Sequence, residues 1–107
     1  PVFVASTTLA ALPKEYAGKA EVISGPPRGI VEQLAGKGYA NLYVDGGVTI
    51  QRFLAASLID EIIVTRIPVL LGKGIPLFGV LEHRVNFEHQ KTKVLNGQLV
   101  KSWYRRK

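Results

Sequence analysis

Apolar positions along the chain fall into short runs whose spacing switches between a period near two and a period near 3.6. Val2 to Ala5 is a short apolar strand, and Glu21-Val22-Ile23-Ser24 is a second, with a polar loop holding Pro13, Lys14 and Gly18 between them. From Pro26-Pro27 the spacing becomes helical. Ile30, Val31, Leu34 and Ala35 make one apolar face, proline is tolerated in a first turn whose amides have no partner, and Gly36 and Gly38 end the run. The unit then repeats: Leu42-Tyr43-Val44 reads as a compact strand, Asp45-Gly46-Gly47 as a turn, and Ile50, Phe53, Leu54 and Leu58 as a second helix. Ile62 to Ile67 is nearly continuous in apolar residues, as expected of a strand covered on both faces, and the crossover helices before it predict parallel neighbours. Pro68 has no amide hydrogen to donate, and Val69 to Gly79, with three glycines and Pro76, reads as a loop. Asn96-Gly97 then joins two runs, about Arg84 to Leu95 and Gln98 to Tyr104, into an antiparallel hairpin. The pattern predicts one α/β domain over residues 1–107, with a mixed, mostly parallel sheet, flanking helices and an antiparallel C-terminal hairpin.

Composition narrows the chemistry. At 107 residues and 47% hydrophobic content the chain has room for a single domain with an aliphatic core. It has no cysteine, which removes disulfides, thiolate metal sites and cysteine nucleophiles and suits a reducing cytoplasm. No apolar run approaches the ~20 residues needed to cross a bilayer, and the longest are broken by Asp60, Glu61, Arg66 and Lys73. The short N-terminal apolar run lacks the features of a signal peptide. The formal charge is +6, but its placement is uneven. Residues 1–80 carry seven basic and six acidic side chains, and residues 81–107 carry seven and two. The surplus sits on the hairpin and its tail as Lys91, Lys93, Lys101, Arg105, Arg106 and Lys107, where lysines commonly guard edge strands. That reading is favoured over a nucleic-acid surface.

The most informative candidate for chemistry is Asp45-Gly46-Gly47-Val48-Thr49, where the end of a strand turns into a helix. Amides at a helix N-terminus lack partners, the helix dipole favours an anion there, and glycine lets a phosphate approach the main chain; Thr49 adds a hydroxyl. A bare sharp turn explains the two glycines equally well. The third glycine of the dinucleotide fingerprint is missing, and no acidic residue follows ~20 positions later at a strand end. Ser6-Thr7-Thr8 and Ser24-Gly25 lie at the ends of the first two strands, and in open α/β sheets ligands collect beyond such carboxyl ends, so the three places define one rim. Each serine or threonine taken singly is better explained by capping or turn shaping. Sharper motifs fail. Gly72-Lys73-Gly74 lacks the serine or threonine of a P-loop, His83 and His89 lie ~20 Å apart on an extended strand, and Ser24 lacks the glycine of a nucleophile elbow. No metal site is expected.

Three blocks carry a family resemblance: Val44-Asp45-Gly46-Gly47-Val48-Thr49-Ile50-Gln51-Arg52-Phe53-Leu54, then Leu58-Ile59-Asp60-Glu61, then the run from Thr65-Arg66-Ile67-Pro68 through Gly72-Lys73-Gly74 to Pro76-Leu77-Phe78. In order and spacing they resemble the dihydrofolate-reductase-like family that includes the C-terminal reductase domain of the bifunctional riboflavin-biosynthesis enzyme. Small stand-alone members are the best match, and the likeness covers essentially all 107 residues. It implies a cytoplasmic, homodimeric reductase that binds NADPH, with NADH as the alternative. The hydride acceptor would be a pteridine-like or ribosylaminopyrimidine substrate, as in dihydrofolate reductase or 5-amino-6-(5-phosphoribosylamino)uracil reductase. Carried over residue by residue, the cofactor contacts fall on Ala5, Ser6, Thr7, Ser24, Gly46, Gly47, Val48, Thr49 and Ile50, and Thr65 falls beside the substrate. No catalytic residue is assigned. Thr7 stands where many dihydrofolate reductases place an arginine against the 2′-phosphate, removing a charge-assisted bond. The family's opening strand, loop and helix have no counterpart in this sequence. The expectation is therefore a partial domain, inactive alone, whose sheet is completed by an N-terminal segment or a second chain. Two alternatives stay open: a non-catalytic nucleotide-binding or assembly module, and a basic nucleic-acid binder.

Overall fold

A computed structural model describes residues 1–6 and 12–107. The chain divides into two compact units, Pro1–Thr49 and Ile50–Lys107.

In the first unit, β1 (Val2–Ala5) and β2 (Ala20–Ile23) pair in parallel, with Val2 opposite Ala20 and Ala5 opposite Ile23. A single 3₁₀ turn, Lys14–Tyr16, precedes β2. The ladder runs one step past β1, because the Ser6 amide donates to the Ile23 carbonyl at 3.0 Å. Helix α1 (Pro27–Gly36) begins where the paired prolines predict, and the Ile30 amide closes its first turn on the Pro26 carbonyl at 3.0 Å. The apolar stripe of the helix buries Ile30 and Leu34, and Ile23 of β2 is the third buried apolar side chain of this unit. The helix ends as its glycines foretell: Gly38 takes φ +93°, and the amides of Lys37 and Tyr39 both fold back to the Leu34 carbonyl.

One expected strand does not form. Leu42-Tyr43-Val44 has strand composition, but among the described residues it pairs with no neighbour, and Tyr43 is 94% exposed. Strand propensity reflects fit to a pleated, half-buried surface, so a run without a ladder partner has nothing to hold it extended.

In the second unit, α2 (Gly47–Ala55), which starts in the first, buries Phe53 and Leu54 and stops where the Leu58 amide returns to the Phe53 carbonyl at 3.0 Å. Three strands follow: β3 (Glu61–Arg66), β4 (Phe87–Leu95) and β5 (Leu99–Arg106), ordered β3-β5-β4 with both pairings antiparallel. The hairpin turns where expected. Asn96 and Gly97 both have positive φ, 51° and 66°, and the Gln98 amide closes the turn on the Leu95 carbonyl. A bulge between His89 and Lys91 shifts the register of β4 by one residue.

The mixed α/β class holds, with a parallel sheet, an antiparallel sheet and two helices. The balance of pairing differs from the expectation of mostly parallel strands. The neighbour of β3 is the returning hairpin strand, because β5 comes back beside β3 and supplies its ladder. Nor is β3 covered on both faces. Its residues alternate exposed and half-buried up to Thr65, and Ile63 is 55% exposed. Residues 67–86 form no regular element, in keeping with the loop predicted for Val69 to Gly79. That segment carries much of the chain's exposed apolar surface, with Leu70 and Val80 each 98% exposed.

Candidate functional site

The Asp45-Gly46-Gly47 turn forms at the place the sequence predicts. Gly46 adopts φ +94°, a conformation costly for any residue with a Cβ, and its amide is held by its neighbour's carboxylate, Asp45 Oδ1, at 2.9 Å. Helix α2 then begins at Gly47. The amides of a helix's first turn have no carbonyl four residues back to bond, so they face outward as donors. No acidic residue lies within that turn; the Asp45 carboxylate stands just before it, on the Gly46 amide. Among the described residues a Cβ at Gly47 would meet no atom within 4 Å, so on their side the approach to these amides is open. A Cβ at Gly46 would lie 3.9 Å from Thr49 Oγ1, which places the threonine hydroxyl against the turn. Val48 is 72% exposed, while Thr49 and Ile50 are half-buried.

The carboxyl ends of β1 and β2 lie side by side through the ladder that pairs Ala5 with Ile23 and continues to Ser6. This brings Ala5, Ser6 and Ser24 into one neighbourhood, with Ala5 and Ser6 half-buried and Ser24 exposed. The Ser24 carbonyl accepts from Gln33 Nε2 at 2.9 Å, fixing that strand end to α1. Gly25 follows with φ +120°, so the chain turns sharply as it leaves the strand. Thr7 lies outside the described residues. Thr65 sits on β3 in the second unit, exposed and opposite Lys101 of β5. The structure thus groups Ala5 with Ser6 and Ser24 at one pair of strand ends, and Gly46 with Gly47, Val48, Thr49 and Ile50 at one helix start.

Pattern reading overlooked Gln51. Its side-chain amide donates to the Pro76 carbonyl at 3.0 Å, tying the first turns of α2 to the loop that follows β3. The loop comes so near that a Cβ on Gly79 would fall 2.8 Å from Gln51 Cδ and Oε1, and Gly79 has φ +68°. A signal was present, since Gln51 is a polar residue beside the apolar positions Ile50, Phe53 and Leu54 of the same helix. At the far end of α2, Arg106 of β5 donates to the Ser57 carbonyl and, at 2.8 Å, to Asp60 Oδ1.

Comparison with known proteins gives a consistent family. The profile of the RibD C-terminal domain matches residues 2–101. An uncharacterized protein of Bacillus subtilis strain 168, YwjB, is 39% identical over 66 residues, which is 61% of this chain and 37% of that protein. Among solved structures, a protein of Shewanella sp. PV-4 provisionally assigned to riboflavin biosynthesis superposes with a TM-score of 0.96 at 46% identity, over 100% of this chain and 60% of its own. A pyrimidine reductase-like protein of Corynebacterium diphtheriae matches with a TM-score of 0.75 at 16% identity over 98% of this chain and 50% of its own, and that likeness speaks to the fold alone. The chain therefore spans between about a third and three-fifths of the proteins it resembles.

Proposed function

We propose that this chain, which belongs to the RibD C-terminal domain family, is the dinucleotide-holding part of an NAD(P)H-dependent reductase whose acceptor is a ribosylaminopyrimidine or a pteridine-like ring. The observation that carries this reading is the Gly46-Gly47 turn: a left-handed glycine, then a glycine with open space where a Cβ would be, at the start of a nine-residue helix. Amides and helix dipole together suit a pyrophosphate, and the Thr49 hydroxyl stands against the same turn. The serines at the ends of β1 and β2 are neutral donors suited to the adenosine side, as Ala5, Ser6 and Ser24 are in the resemblance.

When bound, the nicotinamide supplies the hydride. The residues of this chain hold and orient it rather than move protons, and general acid or base groups are assigned to none of them. Thr65 on β3 is proposed to face the acceptor. With Thr7 in place of an arginine, the preference for NADPH rests on neutral hydroxyls, and NADH is the competing cofactor. A homodimer in the cytoplasm is part of the same proposal.

The decisive measurement is a titration of NADPH against the complete polypeptide and its Gly47→Asp and Gly47→Ala variants. At either substitution the new Cβ meets no atom of the described residues within 4 Å. Gly47→Ala is expected to bind about threefold more weakly than the parent, because its Cβ enters the space the pyrophosphate approaches, and Gly47→Asp to lose about tenfold or more by also placing a carboxylate there. Equal binding by all three would remove the site. Binding without turnover of any pyrimidine or pteridine would leave a nucleotide-binding module.

A further inference from the structure

The sheet face of the second unit that carries Thr65, directly opposite Lys101, also carries side chains that the reductase reading does not use. Residues 101, 103 and 105 of β5 project to one side, and the register places Lys91 opposite Trp103, Lys93 opposite Lys101, and Glu88 opposite Arg105. Lys91 Nζ lies 4.5 Å and Lys101 Nζ 5.1 Å from the centre of the Trp103 ring. Arg105 is neutralised by Glu61 at 2.8 Å, yet none of the three lysines has a carboxylate within ion-pair distance among the described residues. Protection of an exposed edge accounts for Lys91 and Lys93 on β4, but Lys101 lies on β5, the middle strand, where there is no edge to protect. Moreover, Lys93 and Lys101 face each other directly, an arrangement of like charges that weakens a sheet. Like charges paired on the central strand, beside an aromatic ring flanked by cations, are the pattern of a surface kept for an anion.

We propose that this face of β4 and β5 binds single-stranded nucleic acid, with Lys93 and Lys101 bridging one backbone phosphate, Lys91 contacting the next, and the Trp103 ring stacking an unpaired base. A phosphate between the two lysines relieves their repulsion. The ring adds an attraction that a bare phosphate chain lacks, since every base presents a π face and stacking on an aromatic side chain is tolerant of sequence. A sheet face with one aromatic suits an unpaired strand rather than a duplex, whose bases are stacked on one another.

Trp103 is the only tryptophan in the chain, so its fluorescence reports on this surface directly. Titration of the full chain with a twelve-residue oligouridylate at 50 mM salt is expected to quench that fluorescence. With three lysines engaged, log affinity should fall with log salt at a slope of about −2, a loss of roughly fifteenfold between 50 and 200 mM. The Lys93→Gln/Lys101→Gln double variant should bind about tenfold more weakly, with a slope near −0.7, while Lys93→Arg/Lys101→Arg should keep both affinity and slope. Far-ultraviolet circular dichroism checks that each variant is folded. The proposal fails if fluorescence does not change at 50 mM salt, if the glutamine variant binds like the parent, or if inorganic polyphosphate or a duplex of equal length binds as well as the single strand. NADPH binding at the Gly46-Gly47 turn is measured separately, so either site can fail without the other.

Discussion

At the scale of single residues, the glycines divide into those that only turn the chain and those that something approaches. Gly72 and Gly79 both have positive φ, +74° and +68°, but a Cβ on Gly72 would meet nothing within 4 Å among the described residues, whereas one on Gly79 collides with Gln51. Gly72→Ala therefore carries the backbone penalty alone, about 1 kcal/mol. Gly79→Ala carries that penalty and also displaces the Gln51 amide from the Pro76 carbonyl, adding about 1 kcal/mol. Thermal denaturation of the two variants should show Gly79→Ala melting lower; equal melting temperatures would mean that Gln51 swings aside freely. Gly46 was legible because an Asp-Gly-Gly triplet after an apolar run announces a turn into a helix. The approach of Gly79 to Gln51 was not, because 28 residues separate them and no local pattern encodes which loop returns to which helix.

At the scale of elements, helices were read more faithfully than strands. Helix α1 carries its own start and stop signals in Pro26-Pro27 and Gly38, and α2 carries its start in Gly46-Gly47, since a helix closes its hydrogen bonds within one segment. A strand takes its partners from elsewhere. Leu42-Tyr43-Val44 has strand composition and no ladder, while β3 found its neighbour in β5, about 40 residues on. The hairpin is the exception, because Asn96-Gly97 specifies locally which two strands meet. Its far end is pinned by Arg106, whose guanidinium reaches Asp60 and the Ser57 carbonyl and whose amide donates to the Asp60 carbonyl at 2.8 Å. Arg106→Ala should lower stability by about 1–2 kcal/mol, because a partly buried side chain loses contacts to two groups. Asp60→Asn should lower it by no more than about 0.5 kcal/mol, since that carboxylate is 79% exposed and an exposed ion pair is worth little. Urea denaturation of both variants distinguishes the two contributions.

For the whole molecule, five apolar side chains are buried among the described residues, Ile23, Ile30 and Leu34 in the first unit and Phe53 and Leu54 in the second, fewer than 47% hydrophobic content suggests. Much of the rest is displayed, most densely between Ile67 and Val80, where Leu70, Leu71 and Ile75 are each more than three-quarters exposed. Apolar side chains exposed this densely along one segment suit the proposed homodimer. Light scattering of the purified chain is expected to show self-association that falls on dilution and is abolished in Leu70→Glu/Ile75→Glu; a monomer at all concentrations would contradict the proposed homodimer. Amino-acid order alone settled the α/β class, both helices, the Asn96-Gly97 hairpin and the glycine turn at the start of α2, because each is specified by residues within one or two turns of one another. Which strands pair, in which direction, and which apolar side chains end in water rather than in the core are decided only by chain segments meeting across long separations in sequence, and those meetings belong to the tertiary structure.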